Sequence, residues 1–130
     1  MKIVIFGNGY LGSNIHKYFE RNHEVYMISN TSINRHGINS ILLKDIDCFF
    51  DRLSNTDLLI LANGLPSEIC DSKVLMGIDQ NIRNTIALMD KFVSNYCKKI
   101  IYFSSVHVYG EILNGILSED MLCNPSTPYR

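Results

Sequence analysis

Near the start of the chain, Gly7-Asn8-Gly9-Tyr10-Leu11-Gly12 has the residue types and spacing of a phosphate cradle. In a G-x-G-x-x-G loop between a strand and a helix, the first glycine permits a tight turn. The second lets the backbone approach a pyrophosphate, and the third lets the helix pack close to the strand. Gly7, Gly9 and Gly12 take these places. The helix that follows offers free N–H groups and the positive end of its dipole, so Tyr10 and Leu11 belong to the same cradle. The Tyr10 ring is expected to pack beside the turn rather than react. About twenty residues on, a site for NAD calls for a carboxylate that accepts from the adenosine ribose hydroxyls. Ser29 and Asn30 stand there, both neutral, and Arg35 follows in the same loop. Arg35 either meets a 2′-phosphate or is a solvated loop charge, so NAD and NADP both remain open. A further pair of hydroxyls, Ser104 and Ser105, closes an apolar run; they either satisfy local backbone groups or face a substrate.

These residues need elements to hold them, and strand and helix signals alternate along the chain. Lys2-Ile3-Val4-Ile5-Phe6, closed by Gly7, reads as a strand buried on both faces. Leu11, Ile15 and Tyr18/Phe19 form one stripe of a helix ending near Arg21-Asn22. Strands are expected over 23–28, weakly over 41–43, over 57–62 and over 99–104, with a short helix over 47–53. A long helix is expected over 73–96, where Ile82, Ile86, Met89, Val93 and Tyr96 recur at helical spacing. That stripe either packs on the sheet or stays exposed as an interface. The residues 29–37 and 114–130 read as loop. Alternating elements imply right-handed crossovers and a parallel, doubly wound α/β sheet, with the ligand beyond the carboxyl ends of its strands.

Composition agrees. A chain of 130 residues fits one domain of roughly 100–200. With 46% hydrophobic and 19% charged residues, it has the means to bury a core. The net charge of −1 gives no pull toward nucleic acid or an anionic membrane, and no apolar run approaches the ~20 residues of a membrane span. The start of the chain lacks the long apolar stretch of a signal peptide, and Cys48, Cys70, Cys97 and Cys123 form no CxxC pair or metal cluster. The expectation is a cytoplasmic protein with reduced thiols and no metal. His16, His23 and His36 are read as surface residues, and so is His107, near the mouth of the site.

Taken in order, the motifs resemble those of the extended short-chain dehydrogenase/reductases, the group that modifies nucleotide-linked sugars. Ser104-Ser105-Val106-His107-Val108-Tyr109-Gly110 is similar to the Ser-Ser-x-x-Val-Tyr-Gly at the end of that family's fifth strand. Ala62-Asn63-Gly64 resembles its turn after strand four, and Asn81-Ile82-x-x-Thr85 its Asn-Val-x-Gly-Thr on helix four. Pro125-Ser126-Thr127-Pro128-Tyr129 resembles its Pro-x-x-Pro-Tyr. The resemblance implies a Rossmann sheet of order 3-2-1-4-5 and a cofactor flanked by Ala62, Asn63 and Gly64 and supported by Asn81. It implies that Ser105 orients the substrate and that Tyr129 is the acid/base. It also implies a nucleotide-sugar substrate and a homodimer through the helix over 73–96.

Three departures matter. The loop is one residue tighter than the G-x-x-G-x-x-G of most members, the acid after strand two is absent, and the lysine of Tyr-x-x-x-Lys falls past Arg130. In the family that lysine lowers the tyrosine from the ordinary phenol value near 10, enabling proton transfer during hydride transfer. On this reading, residues 1–130 are an incomplete, C-terminally truncated NAD(P)-binding domain without its sugar-binding part. The chain is then the cofactor-binding part of an epimerase, dehydratase or reductase, or a catalytically inactive module that retains a dinucleotide.

Overall fold

In the computed structural model, which describes residues 1–31, 39–110, 115–127 and 129, five parallel strands form one sheet of order β3-β2-β1-β4-β5. The elements are β1 (Lys2–Phe6), α1 (Tyr10–Phe19), β2 (Glu24–Ser29), β3 (Asn39–Leu42), α2 (Ile46–Leu53) and β4 (Leu58–Leu61). They continue with α3 (Ser67–Ser72), α4 (Val74–Gly77), α5 (Asn84–Val93) and β5 (Ile100–Tyr102). This is the expected doubly wound architecture.

The central strand shows why. Successive side chains point to opposite faces. Ile3 and Ile5 pack with Val25 and Ile60 beneath Ile15 and Phe19 of α1. Val4 and Phe6 pack on the other face with Ile28, Leu59 and Leu61 against Leu53, Leu88 and Phe92 of α2 and α5. All four β1 side chains from Ile3 to Phe6 are wholly buried, which explains an uninterrupted apolar run rather than an alternating one.

The expected helix over 73–96 is present without a break from Val74 to Val93, though its middle is wound differently. A separate helix, α3, begins after Pro66, whose fixed φ of −60° suits a helix start. Lys73, at φ −132° and ψ 67°, breaks the path between α3 and α4. Gly77 lets the two helices approach, since a Cβ there would stand 3.1 Å from Cys70 Sγ. Ile78–Arg83 is then wound as π-helix before α5 resumes the ordinary pitch.

The apolar stripe also turns the other way. Thr85, Leu88 and Phe92 are buried, whereas Ile82, Ile86, Val93 and Tyr96 are exposed and Met89 only partly packed. Two adjacent faces of this helix are apolar, and periodicity cannot choose between them. The choice falls to Phe92, whose ring meets Phe50 edge-on at 5.5 Å. Leu88→Ala is therefore expected to cost about 3 kcal/mol. In the monomer, Ile86→Ser should change stability by less than about 0.5 kcal/mol. Urea unfolding of the two variants measures the contrast.

Smaller corrections follow the same logic. Tyr10 is 88% exposed and packs against no turn. His16, expected at the surface, is buried in α1 with Nδ1 3.2 Å from Glu20 Oε2. His23 is only partly exposed, and its Nδ1 is buried. β5 spans only Ile100–Tyr102, although the Phe103 N–H still donates to the Leu61 carbonyl. Arg35 and His36 lie outside the described residues. Among the described residues no helix is long and apolar enough to cross a membrane.

Candidate functional site

Apart from Arg35, which lies outside the described residues, the candidate site residues gather around the carboxyl ends of the strands. After β1 the chain turns at Gly7, whose φ is +115°, a conformation costly for any residue with a Cβ. Its N–H donates to the Ile28 carbonyl, and a Cβ at Gly7 would lie 2.6 Å from the Ala62 carbonyl oxygen. Gly12 sits even more tightly, with a Cβ falling 1.9 Å from the Gly7 carbonyl oxygen. Gly9 differs, because nothing stands within 4 Å of where its Cβ would be. The space over Gly9 is open, and Gly9 caps α1 with no side-chain cap and no acid in the first turn. No carboxylate competes for an anion at the start of α1.

A cavity of about 440 Å³ opens there, lined by Gly7, Asn8, Gly9, Ser29, Asn30 and Ala62 among others. A second, of about 390 Å³, lies beyond the ends of β4 and β5 and contains both Ser105 and Tyr129. Asn63, Gly64 and Asn81 form the wall common to the two. The glycine loop and the Ser105/Tyr129 pair therefore line neighbouring cavities that share one wall.

The common wall is well anchored. Asn63 Nδ2 donates to Thr85 Oγ1 at 2.8 Å and to the Gln80 carbonyl at 3.3 Å. Its Oδ1 is buried with no hydrogen-bond partner among the described residues, leaving an acceptor whose desolvation they do not compensate. Asn81 Oδ1 accepts from the Leu65 N–H at 2.8 Å, and its Nδ2 donates to Cys70 Sγ at 3.3 Å. Burial pushes the Cys70 thiol up, with the Asn81 bond partly opposing it. Gln80 and Asn81 both belong to the π-helical stretch, a local form often found at functional sites.

Ser105 is set by the turn after β5. It caps a short 3-10 turn, Val106–Tyr109, and its Oγ accepts from the His107 N–H at 3.3 Å. The hydroxyl proton remains to donate elsewhere. Tyr129 is held from two sides: its N–H donates to Asp71 Oδ1 at 3.3 Å, and its ring lies 6.0 Å from the exposed His107 ring, edge to face. Tyr109 is half-buried within that turn.

Of the sequence candidates, Gly7, Gly9, Ser29, Asn30, Ala62, Asn63, Gly64 and Asn81 line the first cavity. Leu11 lines only a shallower recess near Pro66 and Tyr129, while Tyr10 and Gly12 line neither main cavity. Missed by sequence were Asn8, Thr31, Met76 and Gln80 in the first cavity and Cys70 and Phe103 in the second. Asn8 lay within the glycine motif and Gln80 beside Asn81, but neither carried a signal of its own. Among the described residues there is no cluster of metal-ligating side chains, and the four cysteines are unpaired.

Comparison with known proteins points one way. Residues 3–130 match the family described as NAD dependent epimerase/dehydratase. UDP-glucose 4-epimerase 4 of Oryza sativa subsp. japonica is 35% identical over 57 residues, 44% of this chain and 15% of that protein. The UDP-N-acetylglucosamine 4-epimerase of Methanobrevibacter ruminantium M1, solved in complex with UDP-N-acetylmuramic acid, matches at TM-score 0.83 and 28% identity. That match covers 98% of this chain and 45% of the solved one. The UDP-glucose-4-epimerase of Stenotrophomonas maltophila, solved with NAD and formylated UDP-arabinopyranose, shares the fold at TM-score 0.82 and 20% identity. It covers 99% of this chain and 44% of its own. The chain thus spans less than half the length of either solved enzyme.

Proposed function

The chain belongs to the NAD-dependent epimerase/dehydratase family, and from that premise we propose that residues 1–130 are the dinucleotide-binding part of an enzyme acting on a nucleotide-linked sugar. The reaction is an epimerisation, dehydration or reduction. The observation that carries this reading is the shared wall of Asn63, Gly64 and Asn81, which puts the glycine-loop cavity beside the one holding Ser105 and Tyr129.

The residues fit a dinucleotide. The open space over Gly9 and the uncapped start of α1 suit a pyrophosphate, with Gly7 and Gly12 fixing the loop. When bound, the nicotinamide supplies a hydride acceptor or donor. The protein's own residues do the rest. Asn63 and Asn81 hold the wall against which the cofactor lies, and Asn63 Oδ1 offers it an unused acceptor. Ser105, its oxygen already accepting one bond, donates its proton to the substrate oxygen that reacts. Tyr129, in the same cavity, passes a proton to or from that oxygen. The neutral Ser29 and Asn30 leave both NAD and NADP as cofactors. The solved relative that holds NAD supports a nicotinamide dinucleotide in general. We place the protein in the cytoplasm, with its homodimer contact on the exposed Ile82, Ile86, Val93 and Tyr96 face.

Gly9→Val tests the site directly, because a branched side chain would fill the space required by the pyrophosphate. Titration with NADH, followed by nicotinamide fluorescence, should show affinity falling by on the order of a hundredfold or more. Unchanged affinity would remove the phosphate-loop assignment. Tight binding with no turnover on any nucleotide sugar would instead favour an inactive, dinucleotide-retaining module.

A further inference from the structure

Three hydrogen bonds close a ring that neither the phosphate loop nor the Ser/Tyr pair accounts for. The Leu65 N–H donates to Asn81 Oδ1 at 2.8 Å, and Asn81 Nδ2 donates to Cys70 Sγ at 3.3 Å. The Cys70 thiol then donates to the Leu65 carbonyl at 3.6 Å, within reach of the larger sulfur atom. One ring thus joins the turn after β4 to α3 and to the π-helical stretch. It also straddles the wall between the two cavities: Leu65 lines the first, Cys70 the second and Asn81 both. Cys70 is only 2% exposed, and Gly77 packs directly on it, since an added Cβ would stand 3.1 Å from Sγ. Burial keeps Cys70 a thiol, so it has the proton that it donates.

Resting on the dinucleotide reading above, we propose that Cys70 is a positioning residue whose thiol closes this ring and so fixes the wall between the cofactor and substrate cavities. A thiol is a weak donor and a weak acceptor, so neither of its bonds counts for much alone. Closure is what matters. Hydrogen bonds in a ring polarise one another, and this ring fixes both polar ends of the Asn81 carboxamide at once. Without the sulfur, Asn81 keeps only its bond to Leu65 among the described residues and can turn about it. The wall then loosens toward both cavities, although Cys70 lines only the second.

The test compares Cys70→Ala, which deletes the sulfur, with Cys70→Ser, which keeps a donor and an acceptor in its place. Hydrogen exchange of the Leu65 amide, followed by NMR, reads the ring without any ligand. Cys70→Ala should speed that exchange by about tenfold or more while the amides of β4 stay as they are. Cys70→Ser should bring it back to within about threefold of the unaltered protein. In a fluorescence titration with NADH, Cys70→Ala should lose about three- to tenfold in affinity, the equivalent of one net hydrogen bond, and Cys70→Ser should regain it. Plain loss of packing would speed the β4 amides as well and would not be rescued by serine; that result overturns the inference. So does an unmoved Leu65 amide, or an unmoved NADH affinity in Cys70→Ala. Failure of the unaltered protein to bind NADH overturns the dinucleotide reading and the positioning role with it.

Discussion

Gly12→Val is expected to yield a protein that does not fold, although position 12 lines neither main cavity. Even the first added carbon would stand 1.9 Å from the Gly7 carbonyl oxygen and 3.0 Å from its carbon, both backbone atoms. A flexible side chain can swing away from an overlap, but this one can be relieved only by moving α1 off β1. That movement would open the packing of Ile15 and Phe19 over Ile3, Ile5, Val25 and Ile60. Ordinary overpacking costs ~1–3 kcal/mol because neighbours give by tenths of an ångström. Here they must give by more than an ångström, so the expected cost is about 5 kcal/mol or more, comparable to the whole stability of a small domain. Circular dichroism and urea unfolding should show a chain largely unfolded without denaturant. Gly9→Val provides the contrast, since it meets open space and should lose dinucleotide affinity while keeping its fold. A stable Gly12→Val protein would mean that the close approach of α1 to β1 is wrong.

How much of this was legible in the sequence depends on how local each cause is. The strands were legible because burial on both faces leaves a compact apolar run, as in Ile3–Phe6. The glycine loop was legible because the geometry of its turn acts through neighbouring residues. Ser105 and Tyr129 were found through motif resemblance, and only the fold shows that they share a cavity. The helix over 73–96 was legible from its spacing, but its π-helical middle and its buried face were not, for a tertiary reason. The contact of Gly77 with Cys70 and the π-helical stretch after it are settled by packing, and no repeating pattern announces them. His16 failed similarly: its spacing from Glu20 permits an ion pair, but its burial depends on what covers that part of α1. Gln80 was out of reach because its partner, Asn30, stands on a different element.

The second large effect is expected at Tyr129. In an enzyme carrying this chain, Tyr129→Phe should lower turnover of a nucleotide sugar by about 10²–10⁴-fold, the usual contribution of a positioned proton donor or acceptor. The substitution removes one oxygen and keeps the ring, so the edge-to-face contact with His107 and the backbone bond to Asp71 should survive. Dinucleotide affinity should hold within about threefold, since Tyr129 lines the second cavity and not the first. Steady-state kinetics beside a nucleotide titration separates the two effects. Ser105→Ala adds a further check, because the Ser105 hydroxyl both caps the 3-10 turn and faces the cavity. If the two groups share one reacting oxygen, the double variant should be scarcely slower than Tyr129→Phe alone, since residues acting as a unit are not additive. Multiplicative losses would mean that they act on separate parts of the substrate. A Tyr129→Phe enzyme with undiminished turnover would leave the proton transfer to another group, and His107, whose ring already lies against Tyr129, would be the next residue to change.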